Sequence, residues 1–127
     1  MTFVQTDKAP SAIGPYSQAV VANGIVYTSG QIALTPVGGD ELLGEDVVVQ
    51  AVRVMKNLEA VLVEAGSSLD GVLKTTIFLA NMDDFSIVNE VYAEAFGSHK
   101  PARATVAVKT LPKNALVEID AIALINT

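Results

Sequence analysis

Between residues 46 and 65, apolar positions recur three and four apart. Val48, Ala51, Val52, Met55, Leu58, Leu62 and Ala65 fall on one stripe, while Gln50, Arg53, Asn57 and Glu64 lie toward the other side. That spacing predicts an amphipathic helix. Asp46 suits its N-cap, and Gly66 suits the position just past its end. A second stripe of Val88, Val91, Tyr92, Ala95 and Phe96 predicts a helix capped by Asp83 or Asp84 and stopped by Gly97. Elsewhere the pattern is that of strands. Asn23-Gly24 divides two β-prone runs, residues 18–21 and 25–28, and predicts a hairpin because both turn residues tolerate positive φ. Residues 72–79 are rich in Thr, Ile and Phe and read as a strand. Residues 104–108 and 116–125 are the last two strands. The turn Leu111-Pro112-Lys113-Asn114 between them is expected to close an antiparallel hairpin. A short strand near residues 3–6 precedes all of these. Residues 35–45, with Pro36, Gly38, Gly39 and Gly44, read as a loop, and their glycines match no phosphate-binding spacing.

The order β-β-α-β-α-β-β, with one short strand ahead of it, predicts an α+β fold over a single domain, residues 1–127. A mixed or antiparallel sheet is covered on one face by two helices. The last strand shows what this leaves over. Val117, Ile119, Ala121, Ala123 and Ile125 point one way, and Leu116, Glu118, Asp120, Ile122 and Leu124 the other. Both sides are substantially apolar, as in a strand covered on both faces. The second cover is expected to come from other subunits.

Composition narrows the function. Half of the 127 residues are apolar, yet no run approaches membrane length. The first ten residues show no signal-peptide pattern, which makes the cytoplasm the expected compartment. Fourteen acids against eight bases give a net charge of −6. The lysines are scattered, so no extended nucleic-acid surface is expected. Cysteine is absent and His99 is the single histidine. These counts give no disulfide framework, no thiol nucleophile and no His-rich metal site.

The candidate chemistry centres on Arg103, one of two arginines in the chain. It follows Lys100-Pro101-Ala102 at the mouth of an apolar strand. A guanidinium there is a planar fork suited to holding a carboxylate by two parallel hydrogen bonds. The other arginine, Arg53, reads as a solvated helix residue. Glu118 and Asp120 interrupt the apolar last strand on one side, and a carboxylate so placed needs a donor. In the expected hairpin, Arg103 and Glu118 would lie near one another, as a structural ion pair or as parts of a site.

Several blocks, taken in order, resemble the signature of the YjgF/RidA family: Ile13-Gly14-Pro15-Tyr16-Ser17-Gln18-Ala19, Thr28-Ser29-Gly30-Gln31-Ile32, Pro101-Ala102-Arg103, and Val117-Glu118-Ile119-Asp120-Ala121-Ile122-Ala123. Lys74-Thr75-Thr76-Ile77-Phe78-Leu79, Asp84-Phe85 and Val88-Asn89 also fit. The resemblance runs over essentially the whole chain. It implies a chorismate-mutase-like fold and a homotrimer with clefts between subunits. It also implies hydrolysis of 2-enamine and 2-imine acids, such as 2-iminobutanoate and 2-iminopropanoate, to 2-keto acids and ammonia without metal or organic cofactor. By the same resemblance, Arg103, Glu118 and Tyr16 are the catalytic candidates. Gly30, Ser29, Asn89 and Thr105 join Arg103 in binding substrate. Many members carry cysteine where this chain has Thr105, and the segment 97–100 looks short. Both departures bear on cleft shape. Two other readings remain at this point: a non-catalytic regulator that binds a small carboxylate in the same cleft, and an endoribonuclease, which the acidic charge disfavours.

Overall fold

The computed structural model describes residues 1–36 and 41–126; Gly38 and Gly39 of the expected loop lie outside the described residues. The elements in chain order are β1 (Thr2–Val4), β2 (Ala19–Ala22), β3 (Ile25–Thr28), α1 (Val47–Glu64), β4 (Val72–Leu79), α2 (Phe85–Phe96), β5 (Ala102–Ala107) and β6 (Val117–Leu124). The strands form one six-stranded sheet in the order β1-β2-β3-β6-β4-β5. Both helices lie against one face, giving the expected α+β architecture. Asn23 and Gly24 turn the β2–β3 hairpin with φ of 53° and 77°. That pair of positive angles matches the twist of the flanking strands.

The chain end departs from expectation. Strands β5 and β6 do not form a hairpin. β5 runs parallel to β4 at the edge of the sheet, and β6 lies antiparallel between β3 and β4. Two physical reasons account for this. α2 is a crossover that returns the chain to its starting end, so the next strand lies parallel to β4. A central slot also favours the more apolar strand. β6 fills it with Val117, Ile119, Ala121 and Ala123 almost wholly buried, whereas the alanine-rich β5 stays largely exposed. The residues expected to make the turn form a short 3-10 segment, Pro112–Asn114, with Lys113 and Asn114 in left-handed conformations.

The helix-side core combines alternate β6 residues with Val54, Leu58, Val61 and Leu62 of α1 and Val88, Tyr92 and Phe96 of α2. The buried stripe of α1 is rotated from the expected one. Val52 is 39 % exposed, whereas Gln50 and Asn57, expected outside, are buried. Their side chains bond to the backbone. Gln50 donates to Gly44 O and accepts from Leu116 N, and Asn57 donates to Ile32 O and Leu34 O. Loop carbonyls that approach a helix need donors, and a buried amide supplies them. Asp46 caps α1 as expected, accepting from Val48 N at 2.6 Å. Neither Asp83 nor Asp84 caps α2 through its side chain. Instead Asn81 accepts from Asp83 N at the start of a 3-10 turn, Met82–Asp84, that leads into the helix.

Among the described residues, the opposite face carries no helix. Strand register places Phe3, Tyr27, Phe78, Val106, Ile122 and Leu124 on it. Phe3 is 68 % exposed, and Tyr27, Val106 and Leu124 are each more than 40 % exposed. Glu118 and Asp120 stand among them. Among the described residues, no helix is long and apolar enough to cross a membrane.

Candidate active site

At the end of β3 the chain is pinned at two points. Ser29 N donates to Gln18 O at 2.9 Å, and Gln31 exchanges backbone hydrogen bonds with Ile119 at 2.9 and 3.2 Å. The peptide at Gly30 is therefore held against β6 with its amide between two that are already spent. A Cβ added at Gly30 would stand 2.5 Å from Glu118 Oε2 and 2.8 Å from Glu118 Cδ. Any side chain here would have to push the Glu118 carboxylate aside, and glycine leaves it that space. Ser29 Oγ donates to Ser17 O at 2.5 Å, so its proton is committed to holding this segment.

Tyr16 reaches the same place from the N-terminal segment. Its amide bonds to Gly14 O at 2.9 Å across a bend in which Gly14 adopts φ of 126°, a conformation that glycine alone tolerates easily. The buried Gln18 ties that segment down, accepting from Thr6 N and donating to Pro10 O. Tyr16, Ser29, Gly30 and Glu118 thus line one cavity of about 480 Å³. Lys113 also lines it, a residue that the sequence did not single out. Its left-handed backbone, in a segment read as an ordinary turn, gives no pattern signal.

Burial pushes the Glu118 carboxyl above the usual carboxylate range, and the charge of nearby Asp120 adds to the effect. Asp120 is raised too, chiefly by burial, with hydrogen bonding from Thr76 and the charge of Lys74 working against the rise. Two carboxyls on an apolar sheet face thus hold protons more tightly than in water.

Arg103 stands elsewhere. On β5 it lies in register with Thr75, whose hydroxyl is 2.7 Å from that of Tyr92 on α2. The side chain therefore points to the helix side. Nη1 donates to Asn89 Oδ1 at 2.6 Å, and the guanidinium carbon lies 5.0 Å from the Tyr92 ring centroid and 5.5 Å from that of Phe85. Thr105, two residues on, shares this face. Its hydroxyl oxygen is buried and has no hydrogen-bond partner among the described residues. His99 Nε2 lies 2.7 Å from Val72 O, which accepts from it, and the residue braces the start of β4.

The structure thus divides the expected site into two groups. Tyr16, Ser29, Gly30 and Glu118 are together, and so are Asn89, Arg103 and Thr105. Glu118 is in register with Phe78, and Arg103 with Thr75, three residues along β4. Alternation puts the two side chains on opposite faces of the sheet. The expected Arg103–Glu118 neighbourhood is not formed within one chain. Among the described residues, no three His, Cys, Asp or Glu side chains gather as a metal site.

Comparisons with known proteins agree over nearly the whole chain. The family described as endoribonuclease L-PSP matches residues 6–125. The 2-iminobutanoate/2-iminopropanoate deaminase of Homo sapiens is 45 % identical over 121 residues, covering 95 % of this chain and 88 % of the human protein. A Lactococcus lactis protein named as a regulator, AldR, is 47 % identical over 127 residues, covering both chains completely. Among solved structures, E. coli TdcF with bound serine superimposes with a TM-score of 0.93 at 40 % identity, covering 99 % of this chain and all of TdcF.

Proposed function

The chain belongs to the YjgF/RidA family, and we propose that it hydrolyses 2-enamine and 2-imine acids to 2-keto acids and ammonia in clefts shared between the subunits of a homotrimer. The observation that carries this reading is the division of the site. A carboxylate fork and an acid of raised pKa occupy opposite faces of one sheet. Within one chain as folded here they stay apart, and two copies can bring them together. The uncovered apolar sheet face supplies the surface for such an assembly. The human relative's name supports the reaction class, and the serine bound to TdcF supports a small amino or keto acid as the ligand.

In this reading, the substrate carboxylate docks on Arg103 of one copy. The Gly30 amide of its neighbour and the unpartnered Thr105 hydroxyl help to hold it. The enamine takes a proton at carbon to become the imine, whose carbon is electrophilic once the nitrogen is protonated. Glu118, as carboxylate, orients a water and accepts its proton as the C–O bond forms. That proton then passes to the nitrogen. As the C–N bond breaks and ammonia departs, the new hydroxyl gives its proton to the Glu118 carboxylate and the carbonyl remains. The Tyr16 hydroxyl hydrogen-bonds at the reacting end. This hydrolysis already proceeds in water, so positioning supplies much of what is needed.

The test generates 2-iminobutanoate in situ and follows ammonia release. Wild-type protein should accelerate it. Arg103→Ala, checked for an unchanged fold and assembly, should lower kcat/KM at least about tenfold, the loss of a charged hydrogen-bonding contact of about 1.5–3 kcal/mol. Arg103→Lys should rescue little, because an ammonium lacks the two-pronged geometry. Keto-acid binding without turnover would favour a regulatory role, the reading that the AldR name suggests. Wild-type rates in Arg103→Ala would overturn the carboxylate clamp.

A further inference from the structure

Arg103 is exposed on an edge strand. Three side chains of α2 hold its guanidinium. Phe85, Asn89 and Tyr92 follow at i, i+4 and i+7, a spacing that lines them along one helix face. Asn89 takes one N–H of the fork. The rings of Phe85 and Tyr92 both lie within the range of cation–π attraction. The two rings differ in how they are held. Phe85 is partly exposed in the first turn of α2, whereas Tyr92 is buried and doubly braced. Its hydroxyl bonds to Thr75, and its ring packs at 4.6 Å, centroid to centroid, against Phe96. Thr75 is also the residue paired with Arg103 across β4 and β5. A short closed loop results: the strand pair fixes the arginine backbone, and the same strand fixes the ring beneath the arginine head.

We propose that Tyr92, tethered by Thr75, is a positioning residue that acts with Phe85 to set the Arg103 guanidinium in the one orientation in which its free donors face a carboxylate. The tether explains a buried phenol where phenylalanine would fill nearly the same volume. It fixes the tilt of the ring, and the ring fixes the plane of the fork. Arginine suits such a seat because its flat, weakly hydrated head stacks on aromatic faces, which lysine's ammonium does not do. The functional half of this inference rests on the carboxylate-clamp reading above.

Two measurements separate the cradle from the clamp. The first is NMR of the arginine side chains. The chain has two arginines, so the signals lost in Arg103→Lys identify Arg103. Wild-type protein should show hindered guanidinium rotation, with separate Nη signals. Tyr92→Leu should merge them, and so should Phe85→Leu, which alters an exposed ring and keeps the test open should Tyr92→Leu fail to fold. The second is 2-iminobutanoate kinetics with 2-ketobutyrate binding. Tyr92→Leu should raise KM and weaken keto-acid binding roughly three- to tenfold with kcat within about twofold, and Tyr92→Phe should show a smaller change in the same direction. A freely rotating guanidinium in the wild type overturns the cradle. So does a folded Tyr92→Leu that loses thermal stability but keeps wild-type NMR signals and KM, since that is the signature of packing alone. If wild type turns over no imine and binds no keto acid, the clamp reading fails by itself, and the NMR result still decides whether the cradle exists.

Discussion

Glu118 meets two opposing demands. Its carboxyl lies against Gly30 in a partly buried, mainly apolar setting, which raises its pKa above the usual value. The native state therefore binds the Glu118 proton more tightly than the unfolded chain does. Stability from this group is complete below the unfolded pKa and is lost as pH rises through the higher folded one. At neutral pH the ionised Glu118 is a cost to the fold. Glu118→Gln, nearly the same shape without the charge, should raise the melting temperature at pH 7 and leave it little changed near pH 4. In the proposed reaction the sign reverses. There the carboxylate is the working form, so kcat/KM should fall on acidification with a midpoint above that of an ordinary carboxylate, and Glu118→Gln should abolish that limb along with most of the turnover. A variant less stable than wild type, or a full rate in Glu118→Gln, would assign the residue to structure. This acid was legible in the sequence because it interrupts an apolar strand. The glycine that makes room for it was legible only through the family blocks, since a glycine that leaves space for a neighbour's side chain has no local signature.

Among the elements, α1 shows where periodicity falls short. A three-and-four pattern identifies a helix but weights every valine alike. The helix in fact turns the buried amides of Gln50 and Asn57 inward and leaves Val49, Val52 and Val63 exposed. What decides the face is the need of loop carbonyls for donors, and that need arises only after the loop has been placed. Arg53 belongs to the same arrangement. It was read as solvated, yet its Nε donates to Asn57 Oδ1 at 2.9 Å, so Arg53 orients the amide that serves Ile32 and Leu34. Asn57→Leu should cost about 2–3 kcal/mol, because it strands carbonyls rather than removing a pair, while Arg53→Ala should cost about 1 kcal/mol or less with turnover nearly intact. Equal losses in thermal denaturation would mean that the loop finds other donors. The exchange of β5 and β6 has a related origin. Strand existence was visible in composition, but neighbour order was set by the α2 crossover and by competition for the sheet centre. A short turn containing proline carries neither kind of information.

At the scale of the whole molecule, the sheet works as a partition. One face is sealed by helices and carries Arg103 at its edge; the other lies bare and carries Glu118. The sequence already showed that β6 has two apolar sides, which is why assembly is an expectation that needs no geometry. It could not show that the partition separates the candidate residues, because the expected β5–β6 hairpin placed both side by side. If the cleft is built between copies, each cleft needs Arg103 from one chain and Glu118 from another. Arg103→Ala and Glu118→Gln should each be nearly inactive alone. When the two are mixed as unfolded chains and refolded together, some clefts receive an intact Arg103 from the Glu118→Gln chain and an intact Glu118 from the Arg103→Ala chain. Random assembly into rings makes that about one cleft in four, so the mixture should recover about a quarter of wild-type activity. Refolding the variants separately before mixing should recover little until subunits exchange. Light scattering on the same samples should give a trimer. A mixture that stays as inactive as its parts, with trimers formed, would put both residues in a cleft of one chain and would require a rearrangement that carries Arg103 around the sheet edge.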